Sequence, residues 1–514
     1  MRTRALLGAA SVVAALAFGL LAVGFGQDVN WDQRNYHVYN PYAWLNGRLG
    51  VDWLPAGRPG FYNPLLHLPF WVLIETLPPR GVAFVLGAAQ GGGAFALVLL
   101  IARRIGASVP IALAAAVVGA WGGGSLGLLG TSFFDNLLGL LALGAIAILV
   151  GGHEKIEHGE LWPALAAGLL VGLATGLKLT MAVYALGLAL ALVTVPRTWS
   201  ARARTLAAYG AGGLVGILLA GGFWMATLWR DFANPIFPHL NHVFHSPWAP
   251  ERSGHDPQFL PQGWLEALTY PIVFALDGTR VGEAPFRDIR LALLWLAALL
   301  ALIFRGPATA FRPRPSVFVL IAAVAIYGVW QTVFGIYRYA VALEQLAPVA
   351  ILVAIDRLPL DGRVKHVAAG IAFAAIIAFV EPANWGRAPW AEDQRDWIGL
   401  VPPPLERPAE TVVVMTGYQP MSYALPSFPK EVRFVRLTSS FTNPGEAHLM
   451  NARIEALIAR HAGAFRWLVH DHETEASLAA LAHYRLVPDR AACVGLPNRL
   501  DRTLLFCPLT RAGG

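Results

Sequence analysis

The stretch LWPALAAGLLVGLATGLKLTMAVYALGLALALVTV, residues 161–195, holds 35 residues and a single charge, Lys178. As one helix it would be about 52 Å long, well beyond the roughly 30 Å hydrocarbon core of a bilayer. It reads instead as two short spans that break at Gly176-Leu177-Lys178. Parity supports the break. Arg103-Arg104 lies before this region and Arg197, Arg202 and Arg204 follow it. Short basic loops belong on the cytoplasmic side, so an even number of crossings must separate the two clusters. Two spans here satisfy that count and place Lys178 at the outer surface.

Outward from this stretch the chain keeps its character. Its 514 residues are 56% hydrophobic and only 14% charged, with a mean hydropathy of +0.52, whereas soluble domains carry about 25% charged residues. A soluble protein, a disordered chain, a collagen-like repeat and a small disulfide scaffold are all excluded. The net charge of +7 is carried by 35 Arg and 4 Lys against 32 acids. Many of the arginines sit in short loops between apolar runs, so the charge reads as membrane topology and no nucleic-acid partner is expected.

Eleven spans are predicted: 5–26, 81–102, 109–130, 136–151, the two halves of 161–195, 206–228, 291–304, 317–334, 340–355 and 367–380. The first is read as an uncleaved anchor with a cytoplasmic N-terminus, because it is long and no small-x-small cleavage site precedes Gln27. Arg305, Arg312, Arg314, Arg357, Arg363 and Lys365 then share the inner face with the earlier clusters. Gly91-Gly92-Gly93 and Gly122-Gly123-Gly124 read as close helix packing, since no phosphate-loop pattern accompanies them.

The expected fold is mainly α: a polytopic membrane domain over 1–383, with outer loops at 27–80 and 229–290. A small extracytoplasmic α/β domain over 384–514 follows. In that domain 411–415, 432–437 and 466–470 read as strands, and 451–461 and 473–484 as helices. Cys493 and Cys507 flank a predicted hairpin, where an oxidising compartment permits a disulfide; two buried thiols are the other reading. The preference for Arg over Lys suggests a high-GC bacterial genome and an inner membrane.

The polar chemistry gathers in the outer segments. The first loop carries Asn30-Trp31-Asp32-Gln33-Arg34-Asn35-Tyr36-His37-Val38-Tyr39-Asn40-Pro41, then Asn46-Gly47-Arg48, Asp52 and Phe61-Tyr62-Asn63-Pro64-Leu65. In these residues the chain resembles the GT-C superfamily of membrane glycosyltransferases, which includes lipid A aminoarabinose transferases and protein mannosyltransferases. An acidic residue after the first span, a Tyr, a Gly-containing turn and a Tyr–Pro-Leu segment are matched in order by Asp32, Tyr36, Gly47, Tyr62 and Pro64-Leu65. The resemblance implies transfer of a sugar from a polyprenyl-phosphate donor to a glycan, lipid or protein acceptor at the outer face, with Asp32 as general base. Acid–base chemistry favours the same assignment, because an acceptor hydroxyl must lose its proton as the anomeric carbon develops positive charge. Asp28 is the rival base, and solvation of the loop by both acids is the plain alternative.

Tyr36, His37, Arg48 and Asn63 are candidate substrate contacts of that loop. Asp135, opening the fourth span, has two compatible readings: a metal-holding carboxylate together with Asp32, suited to Mg²⁺ or Mn²⁺, or a helix N-cap. Lys178, and Arg338 in Ile336-Tyr337-Arg338-Tyr339, are candidates to bind the leaving phosphate, since Arg grips phosphate bidentately. Tyr337 joins them as a candidate contact, and anchoring at the interface is the competing reading for both cations. A polytopic transporter is the main alternative from another class; against it, no matched pair of broken spans recurs in two halves. An O-antigen ligase or polymerase is the nearest enzymatic alternative. The chain departs from the aminoarabinose transferases in having fewer predicted spans and in placing Gln33 after Asp32 where they carry an Asp-Glu pair.

Overall fold

The computed structural model describes residues 2–251, 256–304, 306 and 310–512; Arg305 of the expected inner-face cluster lies outside them. The chain is mainly helical and separates into two compact units. The first comprises Met1–Phe25, Ala83–Gly222 and His255–Trp385, and the second Gly26–Val82, Phe223–Gly254 and Gly386–Gly514. The first loop and part of the long loop, grouped by the sequence reading with the membrane domain, thus belong by contact to the unit that holds the C-terminal segment.

Among the described residues six helices are long and apolar enough to cross a membrane: Thr3–Gly24, Pro79–Arg104, Trp199–Phe232, Pro313–Val333, Tyr337–Asp356 and Gly362–Phe379. Six shorter apolar helices accompany them, and the protein is a multi-pass membrane protein. The break at Lys178 falls where charge and length require it. Trp162–Leu177 ends, Lys178 is extended (φ −147°, ψ 114°), and a short 3-10 turn leads into Ala182–Leu192.

Two expectations are corrected. The third span does not run to residue 130: its helix, Val109–Ala120, stops and a separate turn, Gly123–Gly127, follows. The polar loop at 229–290 contains an apolar helix, Trp264–Leu276, that composition around it concealed.

The first correction has a definite cause. A helix broken inside an apolar unit exposes carbonyls at one end and N–H groups at the other, and water is absent to satisfy them. Here Arg290 donates to the carbonyls of Val118 (2.9 Å) and Trp121 (2.6 Å). Asp288 accepts from Gly123 N (2.9 Å), and Glu344 accepts from Gly124 N and Ser125 N (3.0 Å each). All three charged side chains are fully buried, and Arg290 pairs with Asp288 at 2.8 Å. A Cβ at Gly122 would occupy the place of the Glu344 carboxylate, so this glycine serves a close approach of carboxylate to backbone.

Elsewhere in the first unit glycine does serve helix packing. A Cβ at Gly172 would collide with the Gly213 carbonyl, one at Gly168 with that of Tyr209, and one at Gly216 with that of Leu169. The four-residue spacing of Gly168, Gly172 and Gly176 puts them on one face of their helix. Gly91 and Gly92 meet Phe18 and Ala15 in the same manner.

The second unit contains a mixed sheet in the order Arg433–Arg436, Thr411–Met415, Ala464–His470, Leu504–Arg511, Leu486–Pro488; Val494–Leu496 also pairs with Leu504–Arg511. The first three strands run parallel, and Leu504–Arg511 is antiparallel to Ala464–His470. Helices Leu449–Arg460 and Thr474–His483 complete the α/β pattern expected from sequence. Val494 lies opposite Phe506 in the ladder, which brings Cys493 beside Cys507, and the two are disulfide-bonded. The first loop is tied to the edge strand, with Trp53 N donating to Phe434 O and Arg436 N to Trp53 O, both at 2.9 Å.

Candidate functional site

Within the second unit Asp32 directly precedes a five-residue π-helical turn, Gln33–His37. Its carboxylate is half-buried and accepts from the Tyr36 hydroxyl at 3.3 Å. The Tyr36 ring stands edge-on to His37 (4.4 Å), Tyr62 (5.3 Å) and His67 (5.6 Å), and His37 stacks on His67 at 3.8 Å. His239 stacks on Tyr62 at 5.5 Å, and burial, helped by Arg58, pushes its imidazole down to about 4. An aromatic cluster thus backs the tyrosine whose hydroxyl bonds a half-buried carboxylate.

The rival Asp28 is placed differently. It is fully buried, and its oxygens accept from the Asn30 side-chain amide (2.7 and 2.9 Å) and from Asn30 N (3.1 Å). These bonds shape the loop's own turn.

Arg48 and Asn63, read from sequence as substrate contacts, carry structural duties. The Arg48 guanidinium is 5% exposed. It bonds Asp52 through Nε (2.9 Å) and Nη2 and reaches the carbonyls of Lys430 and Val432. Asp52 also accepts from Tyr39 OH and Phe434 N, both at 3.1 Å. Burial raises the Asp52 carboxyl against the pull of Arg48. Asn63 caps the turn Pro64–Leu66 by accepting from Leu65 N at 3.0 Å. Beside Asp52 opens a cavity of about 560 Å³ whose walls include Trp44, Trp53, Tyr62, Trp224 and Trp248.

Within the first unit a second cluster forms. Asp135 opens the helix Asp135–Gly151, and Lys178 Nζ donates to its Oδ1 at 2.6 Å. The ammonium lies 5.0 Å from the Tyr339 ring centroid, and the Arg338 guanidinium lies 5.2 Å from the same ring and 4.7 Å from that of Phe133. Arg338 also pairs with Glu283 at 2.8 Å. Three sequence candidates, Asp135, Lys178 and Arg338, are therefore neighbours. Tyr184 fixes the arrangement, its hydroxyl donating to the Tyr339 carbonyl at 2.8 Å. Tyr337 is not part of it: its ring is fully buried against Phe286 at 4.4 Å. Sequence reasoning missed Glu283 and the place of Tyr339; an aromatic directly following an arginine was the available signal.

One Asp135 oxygen holds the Lys178 ammonium, and the other is buried without a hydrogen-bond partner. Among the described residues no group of three or more His, Cys, Asp or Glu gathers to hold a metal.

No family model and no curated protein matches the chain. Among solved structures it is similar to ArnT from Cupriavidus metallidurans in the apo state (TM-score 0.51) and bound to undecaprenyl phosphate (TM-score 0.52). Both comparisons cover 98% of this chain and 97% of the other at 14% identity. A third, to the archaeal oligosaccharyltransferase AglB from Archaeoglobus fulgidus, has a TM-score of 0.43 at 12% identity over 94% of this chain and 71% of the other. The chain thus shares its overall fold with ArnT.

Proposed function

We propose that this protein transfers a sugar from a polyprenyl-phosphate donor to an envelope glycan, lipid or protein acceptor at the outer face of a bacterial inner membrane. The observation that carries the reading is the pair of cations, Lys178 and Arg338, flanking the single ring of Tyr339 at the ends of apolar helices. Charge in such a place is costly and marks function. Each cation pairs with a carboxylate, Lys178 with Asp135 and Arg338 with Glu283, which an incoming phosphate can displace.

In this reading Asp32 takes the proton of the acceptor hydroxyl or amine as that atom bonds to the anomeric carbon. The bond from that carbon to the donor phosphate oxygen breaks, and its electron pair leaves with the phosphate. Lys178 and Arg338 neutralise the added charge, with Arg338 able to grip two oxygens. Tyr36 orients the base through its hydroxyl. The likeness in fold to ArnT over 98% of this chain, in a structure solved with undecaprenyl phosphate bound, supports the donor class.

The test has two arms. Polyprenyl-phosphate binding to the purified protein is expected to weaken at least tenfold in Lys178→Gln/Arg338→Gln and to persist in Asp32→Asn. In a deletion strain, wild type is expected to restore the missing envelope sugar while Asp32→Asn at equal abundance does so about 10²–10⁴-fold more slowly. Full restoration by Asp32→Asn overturns the base assignment, and unchanged binding in the double variant overturns the phosphate site. An unaltered envelope in the deletion strain favours transport.

A further inference from the structure

At its arginine-rich end the first unit contains a cavity of about 560 Å³ that the proposed reaction does not use. Five helix ends meet there. His153–Glu157 forms one wall, and the chain after Ala182–Leu192 and the starts of Trp199–Phe232 and Pro313–Val333 form others. Arg357, just past the end of Val341–Asp356, closes the ring.

Arg197, Arg202, Arg314 and Arg357 line the cavity, and among the described residues of its walls the one acid, Glu157, is already paired with Arg314 at 2.7 Å. Three net positive charges therefore surround it with His153 neutral. Val195, Val317, Phe318 and Ile321 give the cavity an apolar lining as well. Arg202 lies 4.8 Å over the ring of the exposed Trp199, the kind of aromatic that sits at headgroup depth.

A second observation points to an absent ligand. His153 is only 5% exposed and lines the cavity, yet its Nδ1 has no hydrogen-bond partner. Burial lowers its pKa, so the imidazole is neutral near pH 7 and offers one donor and one acceptor. Buried polar atoms are nearly always satisfied, and an exception asks for an explanation.

We infer that this cavity binds a phosphate-bearing anion, its oxygens taken by the arginines and His153 and its apolar part laid against Val317, Phe318 and Ile321. A phosphodiester lipid headgroup meets all three requirements; a soluble phosphate or pyrophosphate meets the first two. Basic pockets between helices at the basic face of a membrane protein have the chemistry for acidic lipids.

Native mass spectrometry of the detergent-purified full chain tests this, with phosphatidylglycerol, phosphatidylcholine and inorganic pyrophosphate as separate probes. Wild type is expected to retain phosphatidylglycerol at least tenfold more than phosphatidylcholine. Arg197→Gln/Arg357→Gln is expected to lose that preference, while Arg363→Gln, outside the lining, keeps it. His153→Phe, which preserves the ring contact with Phe318, should weaken retention several-fold. Equal retention of the two lipids by wild type with no pyrophosphate bound, or equal loss in Arg363→Gln and the double variant, overturns the inference in favour of diffuse surface attraction. Binding of pyrophosphate without lipid preference keeps the phosphate site and assigns it to a soluble anion. Should the double variant not fold, Arg197→Lys/Arg357→Lys, which keeps charge and removes the bidentate fork, is expected to retain lipid at an intermediate level; retention equal to phosphatidylcholine counts against the site.

Discussion

At the scale of single residues, identical side-chain types in one loop have been given different tasks by their surroundings. Asp28 is consumed by Asn30, Asp52 by Arg48, and Asp32 alone of the three is half-buried beside a hydroxyl. The sequence marks all three as loop acids. What separates them was partly legible: Arg48 and Asp52 stand at i and i+4, and Asn63 before Pro64 is an N-cap pattern. Neither spacing reveals that Arg48 also meets carbonyls some 380 residues away. His239 offers a test of this environment. Its folded pKa, about 4, lies below the unfolded value near 6.5. Below pH 6.5 the unfolded chain binds a proton that the folded chain refuses, so stability is full above 6.5 and falls as pH drops towards 4. The expected loss is at most about 3 kcal/mol. The thermal midpoint of the detergent-solubilised protein should therefore decline over that window, and His239→Gln should show a shallower decline.

At the scale of elements, apolar length and charge located the helices, and backbone packing decided where they stop. The break at Lys178 was legible because 35 apolar residues exceed one crossing. The break after Ala120 was not, because its cause is Arg290, Asp288 and Glu344, brought from 165 residues or more further along the chain. Glu344 itself was the overlooked signal: an acid within an apolar span requires a buried partner. Gly122-Gly123-Gly124 was read as helix packing, whereas it admits a carboxylate to backbone N–H groups. Gly168, Gly172 and Gly176 are the true packing stripe. Gly172→Leu is expected to lower the thermal midpoint and the yield of folded protein sharply, since backbone would have to move; strain of this kind costs about 1–3 kcal/mol or more. Gly210, in the same region but with open space at its Cβ position, provides the contrast: Gly210→Ala should leave the midpoint unchanged or raise it slightly.

At the scale of the whole molecule, the arginine pattern predicts an orientation, and the disulfide supplies an independent means to check it. Counting basic loops places the N-terminus inside and residues 384–514 outside. Cys493 and Cys507 are paired across adjacent strands, and such a bond persists in an oxidising compartment and is reduced in the bacterial cytoplasm. The two arguments share no premise, one resting on loop charge and the other on redox chemistry. Cells expressing the full chain, quenched in acid and alkylated before and after reduction, should show both cysteines blocked until reductant is added. The bridge should also depend on the cell's periplasmic oxidation machinery. Cysteines found free in quenched cells would place the C-terminal segment in the cytoplasm, reverse every loop assignment, and move Asp32 to the inner face, where the proposed outer-face transfer could not occur.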